Sequence, residues 1–206
     1  MLYTENNLKQ IENILIKSGE KIEGNIYCDI NTTNLMPRRE EKIANLKHFC
    51  SGLSKIGEIG FNAGHSALAM LESSPSAEYV FFDIGVHGYV QDCFDFLKRS
   101  FSNASLDIIY GDSKKSVWNY IISHERLEQV LNSFDLIHMD GGHGPDTIER
   151  DYAHSMLLLK KNGILIIDDG NIPQIKSLIN NKLQLDDIEE LYWQPVDGRQ
   201  RIFRKL

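Results

Sequence analysis

Carboxylates and a histidine cluster within residues 134–170 of the sequence. Asp140 follows the apolar run FDLIHM, while Asp168 and Asp169 follow the apolar run ILII. His143 comes three positions after Asp140, in the motif DGGH. Hard divalent cations such as Mg²⁺ prefer oxygen ligands, which these carboxylates would supply. Histidine titrates near neutral pH, so His143 is suited to accept a proton during a reaction. The same carboxylates could instead cap helices, and His143 could serve only to hold its turn.

A second motif with chemical potential lies upstream, in the turn EIGFNAGHS of residues 58–66. Small residues let the backbone approach a ligand closely, and the following helix would offer free N–H groups to an anion. The GxxxG spacing differs from the GxGxxG of dinucleotide-binding folds, and Glu58 stands where those folds carry an apolar residue. An acid there suits a cationic or amine-bearing ligand better than a pyrophosphate. A nicotinamide enzyme is therefore the least favoured function, although glycines that serve turn geometry alone stay an alternative.

The elements that would hold these motifs alternate between strand and helix from residue 54 onward. Short apolar runs predict strands at residues 55–59, 79–82, 106–110, 134–139 and 164–167. Parallel strands open their carboxyl ends on one sheet edge, where α/β folds bind ligands, so Asp140 would face Asp168 and Asp169. Two more apolar runs flank Val196-Asp-Gly198, a hairpin signal. The sequence predicts an α/β fold: a doubly wound, Rossmann-like sheet, mostly parallel, with a C-terminal antiparallel hairpin.

The first quarter of the chain lacks this alternation. Helical stripes at residues 4–18 and 40–49 predict a helical N-terminal extension, residues 1–53, ahead of a ligand-binding domain at residues 54–206. Further along, the apolar stripe of residues 148, 152, 156 and 159 predicts a helix that ends at Gly163.

Composition excludes several classes of function. The formal net charge of -7 argues against binding nucleic acid through its phosphates. No apolar run is long enough to span a membrane, and the first residues lack the pattern of a secretory signal. The three cysteines, Cys28, Cys50 and Cys93, are scattered without a CxxC motif, which is typical of reduced thiols. We therefore expect a cytoplasmic protein.

With these features in place, residues 54–204 resemble a class I S-adenosylmethionine-dependent methyltransferase. The resemblance rests on the E-x-G-x-x-x-G turn, the acid after the second strand, the GDS after the third and the closing hairpin. It implies that the turn holds the methionine end of S-adenosylmethionine, that an acid binds the ribose hydroxyls, and that the GDS residues flank the adenine. The cofactor-binding residues implied are Glu58, Gly60, Asn62, Gly64, His65, Ser66, Asp83, Asp112 and Ser113. Asn62 replaces the usual middle glycine.

The DGGH motif and the Asp168-Asp169 pair resemble a narrower branch, the small-molecule O-methyltransferases with a DGxH turn. Some of these are metal-dependent and act on antibiotic sugars. The resemblance implies that Asp140, Asp168 and Asp169 bind Mg²⁺, and that His143 is the base, with Asp140 also catalytic. Gly144-Pro145 departs from the serine and aromatic residue usual after this histidine.

The function predicted is methyl transfer from S-adenosylmethionine to a hydroxyl of a small molecule, such as a sugar. Two alternatives stay open: a hydroxylase-like member of the same fold, and a non-catalytic protein that binds S-adenosylmethionine. Such relatives often self-associate through their N-terminal helices, which implies a homo-oligomer.

Overall fold

The computed structural model describes residues 2–21, 37–194 and 199–206. Its elements follow one another as α1 Leu2–Ser18, α2 Pro37–Cys50, β1 Lys55–Ile59, α3 His65–Ser73, β2 Glu78–Asp83, α4 Tyr89–Ser100, β3 Ser105–Tyr110, α5 Ser113–Ser123, β4 Phe134–Met139, α6 Pro145–Leu158, β5 Leu159–Ile167, α7 Pro173–Gln184, β6 Ile188–Leu191 and β7 Arg201–Lys205. A short 3-10 helix, Leu127–Gln129, lies between α5 and β4.

The seven strands form one sheet in the order β3-β2-β1-β4-β5-β7-β6. Strands β1 to β5 run parallel, while β7 is antiparallel to both β5 and β6. The predicted fold is therefore confirmed, including the antiparallel hairpin, whose predicted turn at residues 196–198 lies outside the described residues. Strand order reverses between β1 and β4, the place where doubly wound sheets open a crevice for a ligand.

Helices cover both faces of the sheet. One buried apolar cluster includes residues of α1, α2, α3 and α4, such as Ile11, Leu46 and Leu97. The other includes residues of α5, α6 and α7, such as Val117 and Ile179. Two-sided burial explains why β1, β2 and β4 read as nearly continuous apolar runs rather than as alternating ones. In the described part of the chain, no helix has the length and apolarity needed to cross a membrane.

The N-terminal helices share a core with the sheet. Ile11 and Leu46 are fully buried in the cluster that also contains Ile56 of β1. The Asn45 side-chain amide donates hydrogen bonds to the backbone oxygen of Gln194 and to Oε1 of Gln200, at 3.2 and 3.1 Å. The boundary between residues 53 and 54 stays a prediction. Helix α2 nevertheless shares a core with β1 and hydrogen-bonds to two residues near the C-terminus.

Helix α6 ends earlier than the sequence predicts. It stops at Leu158, and Gly163 lies inside β5 instead of ending the helix. The backbone N–H groups of Asn132 and Ser133 donate to the oxygens of Leu157 and Leu158, which closes the last turn of the helix. The apolar stripe continues past this point because Leu159 is buried as the first strand residue, so periodicity alone could not locate the boundary.

Candidate active site

A cavity of about 680 Å³ opens at the carboxyl ends of the parallel strands. Turns after β1, β2, β3, β4 and β5 all contribute to its walls, and the side chain of Lys42 reaches it from α2. The cavity has the size expected of a site for a cofactor and a small molecule. Of the residues implied by the sequence, those lining it are Gly60, Asn62, Asp83, Asp112, Ser113, Asp140, His143, Asp168 and Asp169.

Backbone contacts bring the ends of three strands together at the floor of this cavity. Asp140 donates its N–H to the oxygen of Ile59 at 2.8 Å, and Asp168 donates its N–H to the oxygen of Met139 at 2.9 Å. Gly60 adopts φ +98, and a Cβ built on it would lie 2.1 Å from the Asp140 oxygen. Only glycine allows this approach. As the sequence predicts, Asp140 and Asp168 are neighbours at one sheet edge.

Asp83 is fixed at the cavity wall by two backbone donors. Its Oδ2 accepts from the N–H of Asn62 and its Oδ1 from the N–H of Gly85, each at 2.8 Å. Asn62 has a left-handed φ of 51, and its Oδ1 accepts from the Tyr89 hydroxyl at 2.8 Å. Each Asp83 oxygen keeps a second lone pair for a ligand. This arrangement holds a carboxylate with spare acceptor capacity next to the glycine turn.

Asp112 and Ser113 lie on the same wall, at the start of α5. Asp112 caps that helix by accepting from the N–H of Lys114 at 3.1 Å, and it is exposed toward the cavity mouth. Asp112 therefore both caps α5 and lines the cavity.

Four of the implied cofactor residues lie beneath the turn and do not line the cavity: Glu58, Gly64, His65 and Ser66. Glu58 is fully buried, and its Oε1 accepts a short hydrogen bond from the Ser66 hydroxyl. Gly64 takes φ 75 at the N-terminus of α3, so it shapes the turn. Burial lowers the pKa of His65 to about 4, so its imidazole is neutral. These residues support the turn from behind.

His138 belongs to the group of charges next to Asp140 and Asp168, although no motif in the sequence analysis included it. It is fully buried on β4, in register with Glu58 on β1, and its Nδ1 lies 2.9 Å from Glu58 Oε1. Burial acts to lower the pKa of His138, but its hydrogen bond to Glu58 and the charges of Glu58, Asp140 and Asp168 outweigh burial and raise the pKa. The sequence held one indication of this pair: Glu58 and His138 are ionisable side chains within the apolar runs that form β1 and β4.

Two ion pairs lie on the side of the cavity that is formed by the turns after β4 and β5. Lys42 Nζ lies 2.5 Å from Asp168 Oδ1, with side chains only 3% and 2% exposed. His143 Nε2 lies 3.0 Å from Asp169 Oδ2, and both of these side chains are substantially exposed. Asp169 has a left-handed φ of 55 and donates its N–H to Asp168 Oδ1 at 2.8 Å. Sequence reasoning missed Lys42, because a lysine on a helix 126 residues upstream of Asp168 carries no pattern that marks it.

The pKa of Asp140 is shifted by its burial and by the charges of these neighbours. Burial and the neighbouring Asp168 carboxylate raise the pKa of Asp140 to about 8, although His138 and Lys42 act in the opposite direction. An additional positive charge near Asp140 would therefore be favourable.

The described residues include one group that could hold a metal ion: His138, Asp140 and Asp168, whose ligand atoms lie within 4.8 Å of one another. This group differs from the predicted set, because Asp169 is turned to His143 and Asp168 is held by Lys42. Mg²⁺ prefers oxygen ligands in a near-ideal octahedron. As arranged, the three carboxylates do not fit a resident Mg²⁺, and the predicted ion stays a prediction.

The fold and this crevice define a class I methyltransferase. The model of a family described as a methyltransferase domain matches residues 58–170, more than half of the chain. The chain belongs to this methyltransferase family. The matched segment runs from Glu58 to Gly170, and so it includes every predicted site residue.

Solved structures with the same fold come from several bacteria. A methyltransferase from Geobacter sulfurreducens is 14% identical, with a TM-score of 0.60, over 98% of this chain and 88% of that one. A Klebsiella pneumoniae protein, provisionally described as an O-methyltransferase, is 12% identical, with a TM-score of 0.63, over 97% and 89%. A Corynebacterium glutamicum protein is 12% identical, with a TM-score of 0.60, over 81% of each chain. No curated protein matches the sequence. At these identities the likeness concerns the fold alone.

Proposed function

We propose that the protein transfers a methyl group from S-adenosylmethionine to a hydroxyl oxygen of a small molecule, with His143 as the base. One observation carries the proposal: a single cavity has Asp83 and the glycine turn on one wall and the Asp140–His143 turn on the other. The first wall offers the groups that bind a nucleoside, and the second offers the groups that move a proton.

The donor would lie along the first wall. Asp83 would accept hydrogen bonds from the ribose hydroxyls, while Asp112 and Ser113 would flank the adenine. The methionine end would lie against the turn at Gly60 and Asn62, which Glu58, Gly64, His65 and Ser66 support from below. The positive sulfonium would point toward the carboxylates beyond the turn, where burial and the neighbouring Asp168 raise the pKa of Asp140 and an added positive charge is favourable.

In the reaction, the acceptor oxygen attacks the methyl carbon in line with the bond to sulfur. The C–O bond forms as the C–S bond breaks, and the bonding electron pair stays on sulfur to give S-adenosylhomocysteine. The hydroxyl proton passes to His143. Because Nε2 faces Asp169 at 3.0 Å, the neutral ring carries its hydrogen on Nε2 and leaves Nδ1 free to accept the proton. The positive sulfonium would lower the raised pKa of Asp140, and the carboxylate so formed would attract both the sulfonium and the imidazolium.

A Mg²⁺-assisted form of this reaction, with the ion on Asp140, Asp168 and Asp169, is what the DGxH relatives imply. It would require Asp168 to leave Lys42 and Asp169 to leave His143. Because both carboxylates are already paired with side chains of the protein, the proposed reaction uses no metal ion. The cytoplasmic location and self-association through the N-terminal helices stay predictions.

Calorimetry with S-adenosylmethionine and S-adenosylhomocysteine tests the donor half, with and without Mg²⁺. We expect both ligands to bind and Mg²⁺ to leave their affinity unchanged; failure of both to bind would exclude the methyltransferase. A panel of hydroxylated small molecules, scored by S-adenosylhomocysteine formation, tests the acceptor half. Turnover of an acceptor by the wild type that is lost in His143→Ala supports the base. Donor binding without turnover of any acceptor would favour a non-catalytic or hydroxylase-like member instead.

A further inference from the structure

Lys42 is a buried cation that takes no part in the proposed donor binding or proton transfer. It comes from α2, outside the segment that matches the methyltransferase family, yet its side chain lines the same cavity as Asp140 and Asp168. Lysine is almost never fully buried unless it is paired. Here the partner is Asp168, at 2.5 Å, and both side chains are almost completely buried.

The place that Lys42 occupies is the place where a divalent cation would bind. Asp168 follows β5 and Asp140 follows β4, and the two carboxylates lie close enough to share one ion. A metal bound to Asp168 Oδ1 would have to displace the ammonium group, because two cations cannot occupy the same space. Only one of the three N–H donors of Lys42 is needed for Asp168.

We propose that Lys42 is the built-in cation of the acceptor side: its ammonium group takes the place of a divalent metal at Asp168 and donates a hydrogen bond to an oxygen of the acceptor. Lys42 would thus bind the acceptor directly. It holds the carboxylates in place and directs an acceptor that carries a second oxygen near the reacting hydroxyl. The part about the acceptor rests on the proposed function, whereas the part about the metal does not.

The structural alternative is that Lys42 only anchors α2 to the sheet. A measurement of metal binding distinguishes these two roles, because a lysine that only anchors α2 predicts nothing about metal affinity. We would follow Mn²⁺ by electron paramagnetic resonance and calorimetry on the full chain, in the wild type, Lys42→Met and Lys42→Gln. Lys47→Met is the matched control, since Lys47 lies on the same helix and pairs with Glu72 at 2.6 Å, away from the cavity.

We expect no saturable Mn²⁺ site in the wild type or in Lys47→Met. Lys42→Met should gain one, because the substitution frees Asp168. It should bind Mn²⁺ at least about tenfold more tightly than the wild type does. Adding Asp168→Asn to Lys42→Met should abolish the new site. Lys42→Gln, which can still hydrogen-bond to Asp168, keeps the test decisive if Lys42→Met does not fold. A saturable site in the wild type with unchanged affinity in the Lys42 variants would overturn the proposal.

The acceptor part has its own readout. Once an acceptor is known, Lys42→Gln should raise its KM or lower kcat while the affinity for S-adenosylhomocysteine stays unchanged, and Lys42→Arg should restore part of the loss. Unchanged kinetics in Lys42→Gln would overturn this part. Loss of S-adenosylhomocysteine binding in the wild type would instead count against the proposed function, so the two failures are distinguishable.

Discussion

Substituting Gly60 by alanine should damage both stability and donor binding. A Cβ at Gly60 would lie 2.1 Å from the Asp140 oxygen and 2.7 Å from its carbonyl carbon, where contacts below 3.0 Å essentially never occur. The φ of +98 adds strain of about 1–2 kcal/mol for a residue with a Cβ. Forcing the two turns apart adds the cost of overpacking, about 1–3 kcal/mol. Gly60→Ala should therefore lose about 2–5 kcal/mol of unfolding free energy.

Gly52 provides the matched control. It has φ +74, but a Cβ there would meet nothing within 4 Å, so Gly52→Ala carries the backbone strain without the clash. Urea unfolding should give a loss of about 1–2 kcal/mol for Gly52→Ala. Calorimetry should show unchanged affinity for S-adenosylhomocysteine in Gly52→Ala and a clear loss in Gly60→Ala. Equal unfolding free energies and equal affinities in the two variants would refute the reasoning.

Three further predictions concern single contacts. Asp83→Asn should weaken S-adenosylhomocysteine binding in calorimetry by about 1.5–3 kcal/mol, because charge-assisted hydrogen bonds weaken, whereas the exposed Asp107→Asn should not. Lys205→Met should lower the unfolding free energy by about 1–3 kcal/mol in urea, since its ammonium group donates to three oxygens between 2.7 and 2.8 Å. The hydrogen bond that His143 donates to Asp169, opposed by partial burial, raises the pKa of His143. An NMR titration should therefore place that pKa above the ordinary value and lower in Asp169→Asn; no difference between the two would contradict the pairing.

The sign of the His143 effect on stability follows from the same shift. Because the folded-state pKa of His143 is raised, its pair with Asp169 stabilises the protein fully below the unfolded-state pKa of histidine. That contribution is lost as pH rises through the folded-state pKa. Catalysis runs the other way, since the base must be neutral, so the rising limb of the activity profile should also shift downward in Asp169→Asn.

Much of the fold could be predicted from the sequence because the strands are short apolar runs that end in acids. The run before Asp140 matches β4 at both ends, and the residues before Gly60 match β1. Parallel order then places Asp140 beside Asp168 without further information. Helix α6 was harder to delimit, because Leu159 continues the helical stripe while already belonging to β5.

The ion pairs of the site could not be predicted, since each joins residues distant in the sequence. Glu58 and His138 meet only because β1 and β4 are neighbours in register. Lys42 meets Asp168 because α2 packs over one face of the sheet, and nothing in the residues around Lys42 specifies that contact. Three carboxylates in the turns after β4 and β5 predict a cation, but the sequence could not show that a lysine of the chain pairs with one of them.

The two ion pairs of the acceptor side should respond differently to salt, because they differ in exposure. Lys42 and Asp168 are shielded from water, so mobile ions cannot approach them closely and screening is weak. His143 and Asp169 are 48% and 35% exposed, so added salt should weaken their attraction. Raising the salt concentration should therefore lower the pKa of His143 toward its ordinary value. The local charge of Asp168 should remain compensated, because its partner is covalently part of the chain and cannot be diluted or chelated away.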